Sequence, residues 1–139
     1  MISNAVLGAV AFGTWTLFLA VVLISYRGMM MLRGTAITEF PAGIKHGSDP
    51  YWRVNRAHAN ACENVGIAAA ILLGTAFVGN ESSAAHLLPC VIVGARMLQS
   101  TIHMTSGAML AVYARFTMFF VQIGSLLWLA VEIFRIAAR

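Results

Sequence analysis

The residues with the clearest potential for chemistry lie near the start of one helical segment, residues 51–64. At about 100° of rotation per residue, five polar side chains of this segment fall within an arc of roughly 100°. They are two arginines, two amides and one carboxylate: Arg53, Arg56, Asn60, Glu63 and Asn64. Two arginines against a single carboxylate leave positive charge uncompensated. Because the guanidinium group forms paired hydrogen bonds with carboxylates, the stripe predicts a site for an anionic ligand that carries them.

A second polar pattern lies further along the chain, in a segment that is otherwise apolar. Its four members follow the spacing i, i+3, i+4, i+7, which places them on one face of a helix: Arg96, Gln99, Ser100 and His103. Arg115 opens the last apolar segment, and Tyr113 lies just before it. We expect both patterns to converge on one cluster built around Arg53, Arg56, Asn60, Glu63, Arg96 and Arg115.

A simpler interpretation of the first stripe is structural. Arg56 could pair with Glu63 or with Asn60 and hold the helices together without binding anything. Ionisable groups inside a membrane are costly, and they usually face the interior of the helix bundle or a wet cavity. Both interpretations therefore place these side chains away from lipid.

Composition identifies the elements that must position these residues. Of the 139 residues, 60% are hydrophobic and only 10% are charged, and the mean hydropathy is +0.81. A soluble domain usually carries about a quarter charged residues. Four stretches contain no Asp, Glu, Lys or Arg: residues 1–26, 64–80, 82–95 and 116–131. A membrane-spanning helix needs roughly 17–25 mostly apolar residues, so the first stretch qualifies alone and the other three qualify if each helix extends past a charge at one end. The chain is therefore predicted to be an all-α membrane protein with four transmembrane helices.

The predicted helices form a single domain over residues 1–139 and cover about residues 4–31, 50–78, 83–106 and 111–137. Residues 34–48 form a polar loop that is longer than usual between bundle helices, which suggests a lip or lid. Asp49 is expected to cap the second helix, with Pro50 as its first helical residue. The first helix lacks the basic start of a signal peptide and is interpreted as a retained span.

The net charge of +4 does not indicate nucleic-acid binding, because the basic residues cluster at one end of the predicted bundle. Five of them lie in or beside the connection between the first two predicted helices, and a sixth lies beside the connection between the last two: Arg27, Arg33, Lys45, Arg53, Arg56 and Arg115. The positive-inside rule places these two connections in the cytoplasm, at the cell inner membrane if the protein is bacterial.

Cys62 and Cys90 both fall in apolar segments. They are interpreted as small buried side chains rather than a disulfide pair, and no metal-ligand spacing accompanies them.

The chain resembles the MAPEG family, the membrane-associated proteins in eicosanoid and glutathione metabolism, over nearly its whole length. The residues that carry the resemblance open the second of four spans, and Gly94 with Arg96 in span three and Arg115 in span four fit the same pattern. The motif of the second span contains Arg53, Arg56, His58, Asn60, Glu63 and Asn64. The resemblance implies a homotrimer of four-helix subunits, similar to microsomal glutathione transferases, that binds glutathione between subunits near the cytoplasmic face.

The family's site residues carry over as expectations for this chain. Arg53, Arg56, Asn60 and Glu63 would hold the carboxylates and amino group of glutathione. Arg96 would support Glu63, and Arg33 would contribute from the adjoining subunit. Arg115 would stand near the sulfur as the catalytic residue and favour the thiolate. The remaining members of the expected binding set are Gln99, His103 and Tyr113.

The resemblance also suggests where a lipophilic co-substrate would enter. It would arrive from the lipid into a groove between helices one and four, where Phe116, Phe119 and Phe120 could line the wall. The implied activity is transfer of glutathione to lipophilic electrophiles or reduction of lipid hydroperoxides.

Two other functions fit the same chain. Gln99 and His103 stand where some family enzymes have a His and a Tyr, which favours a non-catalytic trimer that binds lipid or supports another enzyme. Small drug exporters are also four-helix chains of similar length, but they typically carry a carboxylate in the first helix. The first helix here has no charged residue.

Overall fold

In a computed structural model, which describes residues 2–41 and 43–138, the chain is built from four long helices. They are α1 (Asn4–Leu32), α2 (Asp49–Phe77), α3 (Ser83–Thr105) and α4 (Met109–Ala137), and a short 3-10 helix, Ile37–Glu39, lies in the first connection. Each long helix is apolar enough over 18 or more residues to cross a membrane. The protein is therefore an integral, multi-pass membrane protein, and the predicted four-helix bundle is confirmed.

Serine side chains begin three of the four helices. Ser3, Ser48 and Ser82 each accept a hydrogen bond from a backbone N–H in the first turn of α1, α2 and α3. The expectation that Asp49 caps α2 is wrong, because Ser48 holds that position and Asp49 is the first helical residue. The Asp49 carboxylate instead pairs with Lys45 at 2.8 Å, on the exposed loop side.

The apolar core lies where all four helices meet. Its fully buried members include Phe12 of α1, Leu72 of α2, Ile92 of α3 and Leu129 of α4. Among the described residues, α1 packs against α2 and α3, whereas α4 packs against α3 and α2. The groove that was expected between helices one and four is therefore not present within one subunit.

A close contact between α1 and α3 fixes the packing on one side of this core. Pro89 lies inside α3, and a Cβ atom at Gly8 would come within 2.8 Å of the Pro89 Cβ. Only glycine permits this approach, since real Cβ contacts do not occur at that distance. Gly13 of the same helix has no neighbouring atom within 4 Å of its Cβ position.

We expect Gly8→Ala to lower the free energy of unfolding by about 1–3 kcal/mol, because the added methyl group overpacks the α1–α3 contact. Gly13→Ala is the matched control and should be neutral or stabilising by up to about 1 kcal/mol, since alanine favours the helix. Thermal unfolding of both variants in detergent measures the difference. Equal melting temperatures for the two variants would show that Gly8 does not pack tightly against Pro89.

Tyr51, a fully buried residue in the first turn of α2, ties down the long first connection. Arg27 Nε donates to the Tyr51 hydroxyl oxygen at 3.1 Å, and the same hydroxyl lies 3.0 Å from His46 Nε2. His46 Nδ1 lies 2.7 Å from the Ile44 carbonyl, which can only accept. His46 Nδ1 therefore carries the proton, and Tyr51 donates its hydroxyl proton to Nε2.

Two further features hold this loop against the ends of α1 and α2. The Arg27 guanidinium lies 5.5 Å from the centre of the Phe40 ring. Gly47 has a φ of +68°, and a Cβ atom there would meet the Tyr51 ring at 2.8 Å. The loop that was interpreted as a lip is thus fastened to the ends of α1 and α2.

Replacing Tyr51 with Phe should release this loop, because His46 and Arg27 lose their common hydrogen-bond partner. Losing these hydrogen bonds should lower the free energy that keeps the loop closed by about 1–2 kcal/mol. The population of chains with an open loop then rises about 5–30-fold. Cleavage after Lys45 by trypsin should accelerate accordingly. Tyr26→Phe is the control, since Tyr26 packs 6.4 Å from the Tyr51 ring and its hydroxyl has no partner among the described residues. Unchanged cleavage in Tyr51→Phe would show that the hydroxyl does not hold the loop.

The opposite end of the bundle is held by Glu132 of α4. Its carboxylate accepts hydrogen bonds from Asn80 Nδ2 at 2.7 Å, Ser82 Oγ at 2.8 Å and Trp128 Nε1 at 3.1 Å. These bonds join the α2–α3 connection to the last helix.

The interpretation of the two cysteines as buried side chains is wrong. Both are free thiols, and both are exposed on the outer surface of the subunit. Cys62 Sγ lies 3.3 Å from His58 Nε2, one turn earlier on α2. Their positions were misjudged because an apolar segment does not indicate which of its faces turns outward.

Candidate functional site

The centre of the candidate site is the contact between Arg96 of α3 and Asn60 of α2. The Arg96 side chain is only 1% exposed, although it carries a charge and lies within a membrane-spanning helix. Its Nη1 donates a hydrogen bond to Asn60 Oδ1. Its guanidinium also lies 5.3 Å from the centre of the Phe12 ring, which provides a weak electrostatic attraction.

This arginine retains unused hydrogen-bonding capacity. Arg96 Nε and Nη2 are buried and have no partner among the described residues, and the same is true of Gln99 Oε1 and Ser100 Oγ on the same helix. Asp and Glu side chains do not bond to Arg96 in the part of the chain that the structure describes, where the only ion pair is Lys45 with Asp49. A cation with free donors thus lies within the bundle.

A groove of about 220 Å³ opens directly beside this contact. Its lining combines an amide from α2, two polar side chains from α3, and a cation and two aromatic rings from α4: Asn60, Gln99, His103, Arg115, Phe116 and Phe119. The α2 and α3 side of the groove therefore offers amide and imidazole groups, and the α4 side offers a positive charge next to apolar rings. Such a groove can hold a polar, negatively charged ligand next to an apolar one.

Helix geometry explains why these residues meet. Gln99 lies six residues before the end of α3 and Arg115 lies six residues after the start of α4, and residues 106–108 join the two helices. At about 1.5 Å per residue, both residues lie about 9 Å from the connection and hence at the same depth. Gln99 and His103 are one helical turn apart on α3, as are Arg115 and Phe119 on α4, so each pair projects from the same face.

The structure brings together Asn60, Gln99, His103 and Arg115, with Arg96 beneath them. The other expected site residues lie outside the groove of a single subunit. Arg53 Nε donates to the Met104 carbonyl at 3.3 Å and so joins α2 to the end of α3. Arg56, Glu63, Tyr113 and Arg33 are exposed on the outside of the subunit.

The simpler interpretation of the α2 stripe, a bond from Arg56 to Glu63 or Asn60, does not hold within the described subunit. Asn60 accepts its hydrogen bond from Arg96, and Arg56 forms no ion pair among the described residues. The residues of the stripe do not all face the same surroundings. Asn64 is buried inside the bundle, whereas Arg56 and Glu63 are exposed on its outside.

Two features of the site were missed or misplaced by the sequence interpretation. Phe116 and Phe119 were assigned to a groove between helices one and four, but they line the groove formed with α2 and α3. Gln122 of α4 was not considered, yet it is fully buried and donates to Asn64 Oδ1 at 3.4 Å. The sequence did carry a signal for Gln122, because it is an amide within the apolar stretch 116–131 and therefore needs a polar partner inside the bundle.

The described residues contain no group of three or more His, Cys, Asp or Glu side chains that could hold a metal ion.

Comparison with known proteins agrees with the architecture. A search of curated proteins gives no significant match. The model of the MAPEG family, in contrast, matches residues 5–135, nearly the whole chain and all four helices. With four membrane-spanning helices and a buried arginine beside a polar groove, the chain belongs to the MAPEG family of membrane proteins of eicosanoid and glutathione metabolism.

Proposed function

We propose that this protein is a glutathione-dependent transferase or peroxidase that acts on lipophilic electrophiles or lipid hydroperoxides in the membrane. The observation that carries the proposal is Arg96, a buried cation whose Nε and Nη2 have no partner among the described residues, beside a groove that also contains Arg115. Leaving a buried charge without a direct ion pair is expensive, so an anionic ligand is the natural complement.

Glutathione has the chemical groups that such a groove requires. It carries two carboxylates, an ammonium group, two peptide bonds and a thiol. Arginine presents a planar fork to carboxylates, and the amides of Asn60 and Gln99 can bond to peptide groups. Family membership makes glutathione the first ligand to consider.

Arg115 is the proposed catalytic residue because it brings a permanent positive charge to the aromatic wall of the groove. A free thiol has a pKa near 8.5, and a nearby cation favours the thiolate, which is the nucleophile.

The reactions follow from that thiolate. With an electrophile, the sulfur forms a bond to carbon while the leaving group departs with its electron pair. With a hydroperoxide, the sulfur attacks the outer oxygen, the O–O bond breaks and the alkoxide takes a proton. A second glutathione then displaces water from the oxidised sulfur and forms the disulfide. Phe116 and Phe119 offer apolar surface for the lipophilic partner.

A homotrimer is part of the proposal. Arg56 and Glu63 are exposed on α2 within a membrane-spanning helix, where contact with lipid is costly. A neighbouring subunit would cover them. The groove of about 220 Å³ is also smaller than the roughly 300–1,000 Å³ of typical ligand sites, so surface from a second subunit, including Arg33, would complete it.

The proposed topology places both basic connections in the cytoplasm, and glutathione would reach the groove from that side. Arg33, Lys45 and Arg53, which lie in or beside the α1–α2 connection, would then face the cytoplasm.

A non-catalytic lipid-binding protein is the second candidate. The observation in its favour is a mostly apolar groove of about 360 Å³ between α1 and α3, lined by residues that include Leu7, Pro89, Val93 and Met97. This function predicts tightly bound lipid and no turnover with any electrophile or hydroperoxide.

Glutathione should raise the melting temperature of the detergent-solubilised protein. At a ligand concentration of 100 times Kd the expected stabilisation is about 2.7 kcal/mol. An analogue in which a methyl group replaces the thiol should stabilise nearly as well, because the carboxylates carry most of the recognition. Cysteine alone is the control and should have little effect. No shift with millimolar glutathione would refute the proposed ligand.

Arg115→Ala should abolish the thiolate absorption of bound glutathione in the ultraviolet and lower kcat by about 10²–10³-fold, the typical loss when a charge-stabilising group is removed. Arg115→Lys should retain part of the signal, because the charge is kept while the planar fork is lost. Arg135→Ala is the control, since Arg135 is exposed near the end of the same helix. Full thiolate formation in Arg115→Ala would assign activation to another group.

A further inference from the structure

Gln122 is the most deeply buried polar residue of α4, with no exposed surface. It lies seven residues after Arg115, which places it on the same face of the helix about two turns further from the α3–α4 connection. It does not line the groove. It reaches α2 instead, where Gln122 Nε2 donates to Asn64 Oδ1 at 3.4 Å.

Asn64 transmits this contact to the groove. Its Nδ2 donates to the Asn60 carbonyl at 2.8 Å, one turn earlier on α2. Since Nδ2 is committed to that carbonyl, Oδ1 is the atom that receives Gln122. A chain of two hydrogen bonds therefore runs from α4 through Asn64 to the residue that lines the groove.

Asn60 is thus supported from two helices. Arg96 of α3 holds its side-chain oxygen, and Gln122 of α4 secures its backbone through Asn64. With Oδ1 bound to Arg96, the Asn60 NH₂ group is left to point toward a ligand in the groove. The orientation of this amide depends on both supports.

Packing alone does not account for Gln122. Its Oε1 is buried without a partner among the described residues, which is costly within a membrane bundle. The next buried residues of the same face, Leu126 and Leu129, belong to the apolar core. A leucine at this position would remove the unpaired Gln122 oxygen but would leave the buried Asn64 Oδ1 without its donor, so the bond to Asn64 is what the amide provides.

We propose that Gln122 is a positioning residue of the thiol site, which through Asn64 fixes the turn of α2 that presents Asn60 to the ligand. The proposal rests on the proposed function, since its effect is on glutathione binding. Gln122 acts on binding and not on thiolate formation, because its amide reaches Asn64 of α2 and does not line the groove beside Arg115.

Gln122→Leu tests this in the solubilised full-length protein. The Kd for glutathione should rise about tenfold, the order of one buried hydrogen bond, while thiolate absorption at saturating glutathione stays unchanged. The melting temperature without ligand should change little, because the unpaired Gln122 Oε1 is removed while Asn64 Oδ1 loses its donor. A merely structural role predicts the reverse, a lower melting temperature with unchanged Kd, and that result would overturn the proposal.

Two controls sharpen the comparison. Ser125→Ala removes a neighbouring buried hydroxyl that bonds only to the Val121 carbonyl of its own helix, and it should change neither quantity. Gln122→Asn keeps the amide but shortens its reach by one methylene, and it should weaken binding as Gln122→Leu does. This variant also provides the answer if Gln122→Leu fails to fold.

A double-mutant cycle tests the path through Asn64. Gln122→Leu and Asn64→Leu should together weaken binding no more than the stronger single change, because both break one chain of contacts. Fully additive losses would overturn the path. If the unaltered protein binds no glutathione, the proposed function fails and this proposal fails with it. If the unaltered protein binds and Gln122→Leu binds equally well, only the role of Gln122 is lost.

Discussion

A charged guanidinium held inside an apolar bundle is the constraint on which the rest of this structure depends. Arg96 can remain there only because Asn60 accepts one of its hydrogen bonds and the Phe12 ring faces its cation. These contacts join α3 to α2 and to α1 at one level of the bundle. They do not satisfy the whole group, since Nε and Nη2 have no partner among the described residues. The site therefore exists at the expense of local stability, as is common where a protein binds or reacts.

The two ends of the bundle are organised differently around this level. At one end, the Glu132 carboxylate accepts hydrogen bonds from Asn80, Ser82 and Trp128. The bonds from Asn80 and Ser82 join the α2–α3 connection to α4. At the other end, the short α3–α4 connection sets Gln99 and Arg115 at the same depth, and Tyr51 fastens the long loop beside them. The groove lies toward the second end, where Phe116 and Phe119 of α4 line it beside Arg115.

Polar groups inside the bundle are thus arranged in layers, from the open groove to the buried core. Arg115 and His103 line the groove, Asn60 and Arg96 form its floor, and Asn64 with Gln122 lies deeper. Deeper still, the four helices meet through apolar side chains such as Leu72 and Ile92. This order connects the proposed thiol chemistry to the packing, because each layer supports the one nearer to the ligand. The exposed positions of Arg56 and Glu63 on α2 extend the polar level to the subunit surface, where the proposed neighbouring subunit would continue it.

The sequence by itself determined the membrane location, the four helices and the family, because charge-free stretches of this length and the α2 motif leave few other folds. Helical periodicity also placed Arg96, Gln99 and His103 on one face. Only the tertiary structure decided which face of each helix turns inward, since periodicity defines relative angles on one helix and not the direction of its neighbour. For that reason Arg56 and Glu63 were expected in the groove but lie outside it in one subunit, and both cysteines were expected inside but are exposed. The hydrogen bond from Gln122 to Asn64 joins residues 58 positions apart, and it became visible only once α2 and α4 were packed together.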